Sequence, residues 1–345
     1  MGEVLCPIAL TDGFALREMD LLLQQEGLRR DNNLEYACGI YDNEDNLIAV
    51  GGCFGCSIRC LAVSGQYKGQ GYLVRIVSHL LEVQARKGNL HVFLYTKCDN
   101  LPFFSDLGFH EVARVKDQMV FLENRRGGFE KYCAGLKKTC ADRIAAVVMN
   151  ANPFTLGHRH LLEQACREND AVYLFLLSEE SGPIPYAVRH KLVSEGIRHL
   201  HTVILQETGP YMISSATFPS YFLKDQDSAI SAQAMLDAEV FARIAACLGI
   251  TSRYLGEEPS SHVTGIYNRV LSCRLPELGI QCRIIPRLTV DEAAISAGTV
   301  RKAIHDGNME QLRKLVPEST RDYFLSSDAE PVLEKIRRET ELFHY

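Results

Sequence analysis

The chain has 345 residues, of which 46% are hydrophobic and 23% charged, and its formal net charge is −6. This length suits about two domains of ~100 to 200 residues, and the composition excludes a disordered or fibrous protein. The weakly acidic balance excludes a broad nucleic-acid-binding surface, and the lack of a long apolar run or signal-peptide pattern predicts a cytoplasmic protein without a membrane partner.

Residues 1–125 alternate strand and helix patterns. Residues 35–54 predict a β-hairpin, because two apolar stretches flank the turn formed by residues 42–46. A strand at 60–63, an amphipathic helix at 72–86 and a strand at 91–96 follow. We therefore expect a mixed α/β domain here.

Cys53, Cys56 and Cys60 have the spacing C-x-x-C-x-x-x-C, which could indicate a metal or cluster site. There is no second C-x-x-C and no suitably spaced histidine pair, so the segment is better interpreted as two strands that meet at Gly55. Cysteine is then a small apolar residue, and we predict no metal site. Twelve cysteines in a chain without a signal peptide also predict reduced thiols.

Gln66, Gly69 and Gly71 form a glycine-rich turn between the strand at 60–63 and the helix at 72–86. The order resembles the GNAT acetyltransferase family, whose Q/R-x-x-G-x-G/A loop binds the pyrophosphate of coenzyme A with backbone amides. The resemblance implies that these three residues bind a coenzyme A-like arm. The family's thiol-protonating tyrosine is replaced by Phe103 or Phe104, which leaves open whether this half is catalytic or only docks a carrier.

Residues 126–142 begin with charge and glycine and predict a linker. Residues 143–328 carry the pattern of a doubly wound parallel α/β (Rossmann-like) domain, and residues 329–345 predict a C-terminal surface helix. The predicted elements of this domain are strands at 144–150, 171–177, 202–205, 253–256 and 281–285, and helices at 158–168, 185–200 and 231–248.

Thr155, Gly157 and His158 lie where the strand at 144–150 gives way to a helix through Asn-Pro. A glycine lets backbone approach an oxyanion, a helix start offers unpaired N–H groups, and the side chains add donors. An ordinary turn with a solvated histidine is the alternative interpretation.

A second segment, Ile295-Ser296-Ala297-Gly298-Thr299-Val300-Arg301-Lys302, opens another helix that carries two cations. By itself it could be a simple N-cap. Together the two segments resemble the H/T-x-G-H and I-S-S-T-x-x-R motifs of the HIGH-type nucleotidyltransferase superfamily. The resemblance implies that ATP binds with Mg²⁺, that His158 and Thr155 contact the phosphates at the reacting centre, and that Arg301 binds the departing pyrophosphate. It also implies nucleotide contacts from Asn152, Phe154, Gly157, Ser296, Thr299 and Lys302.

Gly256 and Glu257 lie at a strand end and could line the nucleotide, although an acidic surface loop fits equally well. Arg189 and His190 have a helical context that predicts a solvated face.

Over almost its full length the chain resembles the citrate lyase ligase family, including residues 216–224, 256–259, 267–268 and 285–287. The resemblance implies that ATP and acetate form acetyl-AMP and pyrophosphate. The acetyl group then passes to the thiol of a phosphoribosyl-dephospho-coenzyme A arm on the acyl carrier (γ) subunit of citrate lyase. The alternative is a phosphopantetheine or nicotinamide mononucleotide adenylyltransferase with an appended acetyltransferase-like domain.

Overall fold

The computed structural model describes residues 3–180, 182–213, 218, 226–258, 261–290 and 293–338. The chain divides into two compact units, Met1–Glu130 with Thr217–Leu236 and Lys131–Ala216 with Asp237–Tyr345. The first unit therefore includes a downstream segment that the sequence pattern did not indicate. Part of the predicted segment 216–224 lies outside the described residues.

Up to residue 123, the first unit contains a seven-stranded sheet and three α-helices. Its elements in chain order are β1 (Val4–Ile8), α1 (Gly13–Gln25), β2 (Tyr36–Tyr41), β3 (Leu47–Phe54), β4 (Ser57–Val63), α2 (Tyr72–Arg86), β5 (Phe93–Thr96), α3 (Leu101–Asp106), β6 (His110–Val115) and β7 (Met119–Glu123). The strand order is β1-β2-β3-β4-β5-β7-β6. All neighbours are antiparallel except β4 and β5, which run parallel and pair only at Ser57–Phe93 and Ile58–Leu94. This topology is GNAT-like and confirms the predicted fold of the N-terminal half.

Two apolar layers flank this sheet. Ile76 and Leu80 of α2 pack with Cys53, and Met19 of α1 packs with Cys60 in a separate cluster. Both cysteines are fully buried in their strands, as the strand interpretation predicted. Gly55 makes the intervening turn with φ +52°, a left-handed conformation that favours glycine.

The predicted linker contains α4 (Gly128–Gly135). Phe129, Cys133 and Leu136 are buried, because these apolar residues recur at helical spacing. The segment is thus a packed helix followed by irregular backbone.

The second unit is a five-stranded sheet with helices. The remaining elements are β8 (Ile144–Met149), α5 (Leu156–Glu168), β9 (Ala171–Leu176), α6 (Tyr186–Gly196), β10 (Val203–Glu207), α7 (Gln226–Leu248, which crosses the boundary between the units), β11 (Ser252–Gly256), α8 (His262–Glu277), β12 (Gln281–Ile285), β13 (Thr289–Val290), β14 (Ala293–Ala294), α9 (Ala297–His305), α10 (Met309–Leu315), α11 (Glu318–Phe324) and α12 (Glu330–Arg338). The order β10-β9-β8-β11-β12 with parallel pairs throughout confirms the predicted doubly wound sheet. Every residue of β9 is buried, as expected for a strand covered on both faces.

The C-terminal helices form their own apolar cluster. Val332, Leu333 and Ile336 of α12 are buried there with Ile304 and Leu312. A helix is thus present at residues 330–338, with one face buried and the other exposed, and residues 339–345 lie outside the described part. Within the described residues, we find no helix with both the length and the apolar character needed to cross a membrane.

Candidate nucleotide-binding site

The first motif forms the start of α5. Thr155 is the N-cap, and its Oγ1 accepts a hydrogen bond from the backbone N–H of His158 at 3.2 Å. In return the Nδ1 atom of His158 accepts from the backbone N–H of Thr155 at 3.1 Å. This reciprocal pair is a capping box with histidine at its third position, so α5 begins at Leu156, two residues before the predicted start.

The capping box also sets the protonation of His158. A backbone N–H can only donate, so Nδ1 has to accept and the ring proton of the neutral imidazole lies on Nε2. Burial, followed by the nearby charge of Arg287, lowers the pKa of His158 to about 3. The half-buried imidazole is therefore neutral near pH 7 and offers one N–H donor.

The second motif forms the start of α9 in the same way. Ser296 is the N-cap, its Oγ accepts from the Thr299 backbone N–H at 3.0 Å, and Thr299 Oγ1 accepts from the Ser296 backbone N–H at 3.0 Å. Arg301 is fully buried, whereas Lys302 is exposed. The second motif is thus an N-cap, as its simpler interpretation held, whereas His158 in the first motif is half-buried in a capping box and not solvated. Both motifs present helix N-termini.

Two contacts join the motifs. The Arg301 Nη1 atom donates to the Asn152 carbonyl oxygen at 2.6 Å. A Cβ atom at Gly157 would lie 3.1 Å from the Ile295 carbonyl oxygen, just before α9, so the glycine is needed for this approach. The starts of α5 and α9 therefore abut. Two positive helix ends at one place favour an anion more than either end alone.

The carboxyl ends of β8 and β11 lie beside each other in the sheet, at its topological switch point. Ligands of doubly wound sheets bind outside such a point. Gly256 ends β11, and its carbonyl accepts from Asn268 Nδ2 at 2.9 Å. Glu257 follows Gly256 and is exposed. Arg287 donates hydrogen bonds to the carbonyl oxygens of both Glu257 and Ile295. The structure thus brings Gly256 and Glu257 to the same edge as both motifs.

The turn between β8 and α5 is stabilised by contacts with buried residues around it. Ala151 has φ +52°, a conformation that costs a residue with a Cβ about 1 to 3 kcal/mol and needs support from its surroundings. Thr320 Oγ1 donates to the Phe154 carbonyl at 2.9 Å. The Phe154 ring is fully buried and nearly parallel to the His158 ring, with centroids 6.0 Å apart. Phe154 thus lies in the core, and Asn152 is also almost fully buried.

Arg189 departs from its predicted place. It is fully buried in α6 with Leu192 and Val193, so the prediction of a solvated face was wrong for it. Its guanidinium donates to carbonyl oxygens after β8 and β9, namely those of Asn150 (2.7 Å), Leu177 (2.8 Å), Ile184 (3.2 Å) and Glu179. Burial lowers its pKa. The i, i+3, i+4 spacing with two apolar residues was the signal that could have identified it.

Arg287 and Thr320 were not recognised as site residues either. Arg287 lies two residues after the end of β12, so its position near a strand end was visible in the sequence. Thr320 had no such signal in the sequence, because only the tertiary fold brings α11 into contact with Phe154, next to the first motif.

The predicted coenzyme A loop lies in the first unit, at the start of α2. Gly69 and Gly71 have φ +78° and +85°, and the space where their Cβ atoms would be is open. Gly71 is the N-cap of α2 and has no side chain to occupy the helix's amide donors. Gln66 is exposed, and its carbonyl accepts from Gln70 Nε2 at 3.0 Å. Phe104 is buried in the core and Phe103 packs against it.

Among the described residues, no group of three or more His, Cys, Asp or Glu side chains could hold a metal ion.

These features define a class of protein in which a GNAT-like unit is joined to a doubly wound parallel α/β unit. Residues 144–324 match the family described as citrate lyase ligase C-terminal domain. The chain is 34% identical to a [citrate [pro-3S]-lyase] ligase from Haemophilus influenzae, over 91% of this chain and 96% of the relative. It is 32% identical to the enzyme of that name from Escherichia coli, over 93% and 94%. The chain belongs to the citrate lyase ligase family, and it is an enzyme of the ligase type.

Two solved acyltransferase structures each match about a third of the chain. A GNAT-family acetyltransferase from Staphylococcus aureus is 10% identical, with a TM-score of 0.31 over 36% of this chain and 100% of that chain. An acyl-CoA N-acyltransferase from Pseudomonas aeruginosa is 14% identical, with a TM-score of 0.30 over 36% and 98%. Because these identities and TM-scores are low, the GNAT-like fold of the first unit is identified by its strand order.

Proposed function

We propose that this enzyme uses ATP to acetylate the thiol of a phosphoribosyl-dephospho-coenzyme A arm on the acyl carrier subunit of citrate lyase. In the first step an acetate oxygen attacks the α-phosphorus of ATP, the bond to the β-phosphate breaks, and acetyl-AMP and pyrophosphate form. In the second step the carrier thiolate attacks the acetyl carbon, and AMP leaves.

The abutting starts of α5 and α9 are the observation that carries this proposal. Nucleotidyl transfer requires mainly in-line positioning and stabilisation of charge on phosphoryl oxygens. Two helix N-termini, a neutral imidazole with an Nε2–H donor and the exposed ammonium of Lys302 supply those donors. Acetate is the acid implied by the family resemblance.

Individual roles follow from burial. His158 is assigned to the phosphates near the reacting centre. Thr155 is almost fully buried and its hydroxyl is bonded to His158, so it is assigned to holding His158 in place. Arg301 is fully buried and donates to Asn152, which supports a role in holding the turn between β8 and α5; its direct contact with pyrophosphate would require the site to open. Phe154 is assigned to the support of the His158 ring rather than to nucleotide contact.

The carrier arm is assigned to the loop at the start of α2. Gly69 and Gly71 leave room for a pyrophosphate next to uncapped backbone amides. Gln66 flanks this loop. Phe103 and Phe104 have no ionisable group, so proton transfer to or from the thiol is not assigned to them.

Exchange of labelled pyrophosphate into ATP tests the first step. We expect exchange that depends on acetate, and we expect His158→Ala to reduce its rate on the order of 100- to 1000-fold. His160→Ala, two residues further along α5, is the matched control and should remain near the wild-type rate. Near-normal exchange by His158→Ala would refute the assignment of His158.

The acceptor is tested by offering acetate, phosphopantetheine and nicotinamide mononucleotide in parallel. Exchange that responds only to a mononucleotide would reject the ligase reaction and favour an adenylyltransferase.

A further inference from the structure

Arg287, which follows β12, contacts protein acceptors through all three guanidinium nitrogens. Nε donates to the Glu257 carbonyl at 2.6 Å, Nη1 donates to the Ile295 carbonyl at 2.7 Å, and Nη2 pairs with the Glu258 carboxylate. About a quarter of the side chain is exposed. The guanidinium is a rigid planar fork, so these contacts fix their acceptors relative to one another.

The acceptors belong to separate segments of the candidate site. Glu257 and Glu258 follow β11, and Ile295 directly precedes the Ser296 N-cap of α9. The Ile295 carbonyl oxygen is also the atom that faces Gly157 at the start of α5. One side chain therefore sets the distance between the ends of β11 and the starts of α5 and α9.

We propose that Arg287 is a positioning residue for nucleotidyl transfer, which rests on the function proposed above. It holds the start of α9 against the start of α5, and it acts through those helix ends rather than by binding the nucleotide. The three protein acceptors are the reason for this distinction, because a guanidinium that served the triphosphate directly would exchange those contacts for phosphate oxygens.

The charge of Arg287 adds a second effect on the same site. Burial is the largest cause of the lowered pKa of His158, and the charge of Arg287 is the second cause. Arg287 therefore helps to keep the imidazole in the neutral form whose Nδ1 closes the capping box with Thr155.

The test compares Arg287→Lys and Arg287→Gln with Arg283→Gln in the full-length protein. Arg283 is an exposed arginine on β12 and serves as the matched control. Lysine keeps the charge but cannot span Glu257 and Ile295 with a planar fork. We expect both Arg287 variants to lower kcat for pyrophosphate exchange by about 10- to 100-fold, because misplacement by about 1 Å costs about 100-fold. The KM for ATP should stay within about threefold of wild type, since no contact to ATP is lost.

Three results would overturn this role: a kcat within about twofold of wild type in Arg287→Lys, a large rise in the KM for ATP at unchanged kcat, or an equal loss in Arg283→Gln. Circular dichroism shows whether each variant is folded, and the lysine variant carries the test if the glutamine variant is not. Wild-type exchange is measured first with each acceptor. If only a mononucleotide supports it, the ligase proposal fails, and the Arg287 comparison is made with that acceptor.

Discussion

Replacing Gly157 with alanine perturbs the junction between the two motifs directly. The new Cβ would lie 3.1 Å from the Ile295 carbonyl oxygen, 3.5 Å from Thr155 Oγ1 and 3.7 Å from Ile295 Cβ. The first distance is too short for an ordinary contact, and its partner is backbone, which cannot rotate away. Relief therefore requires the start of α9 to move by a few tenths of an ångström.

The magnitude follows from two opposing effects. Overpacking a tight site costs about 1 to 3 kcal/mol, whereas alanine in place of glycine within a helix gains up to about 1 kcal/mol. The net loss of stability is about 0 to 3 kcal/mol. A small displacement at the reacting centre should lower kcat for exchange by roughly threefold to tenfold, since about 1 Å costs roughly 100-fold.

Gly265→Ala provides the control that separates the two effects. Gly265 lies in the first turns of α8, with nothing within 4 Å of its Cβ position. The Gly265→Ala variant should show only the gain in stability from the higher helix propensity of alanine. The melting temperature of Gly157→Ala should therefore fall below that of Gly265→Ala by about 2 to 4 °C per kcal/mol of clash. Equal melting temperatures together with wild-type exchange would refute the close approach of Ile295 to Gly157.

The remaining predictions concern the carrier loop and the titration of His158. Replacing Gly69 and Gly71 together by valine should block acetyl transfer to the carrier while pyrophosphate exchange continues, because valine disfavours the left-handed backbone and fills the open space; unchanged transfer would make this loop a scaffold. The pKa of His158 is about 3 in the folded protein, whereas an unperturbed histidine has a pKa of about 6.5. As the pH falls below ~6.5, the unfolded chain therefore binds a proton that the folded protein does not bind, and the folded state loses stability. The melting temperature of wild type relative to His158→Gln should therefore drop between pH 7.5 and pH 5, and a pH-independent difference would show that His158 is not held neutral.

Local sequence was sufficient for several conclusions. The alternation of apolar strands with helix patterns predicted the doubly wound sheet, because continuous apolar runs such as β9 are stable only when both faces are covered. Ser296 was visible as a helix start, since an N-cap and its third helical residue lie within four positions of each other. The glycine-rich turn before α2 was visible for the same reason. The start of α5 was predicted at His158, two residues too late.

Only the tertiary structure decided how these local pieces meet. The contact of Arg301 with Asn152 joins residues 149 positions apart, and neither residue has a local pattern that names its partner. Arg287, Arg189 and Thr320 acquire their roles by donating to backbone carbonyls, and every residue type presents the same carbonyl. A sequence records side chains and short-range spacing, whereas a backbone acceptor becomes specific only when the chain has folded around it.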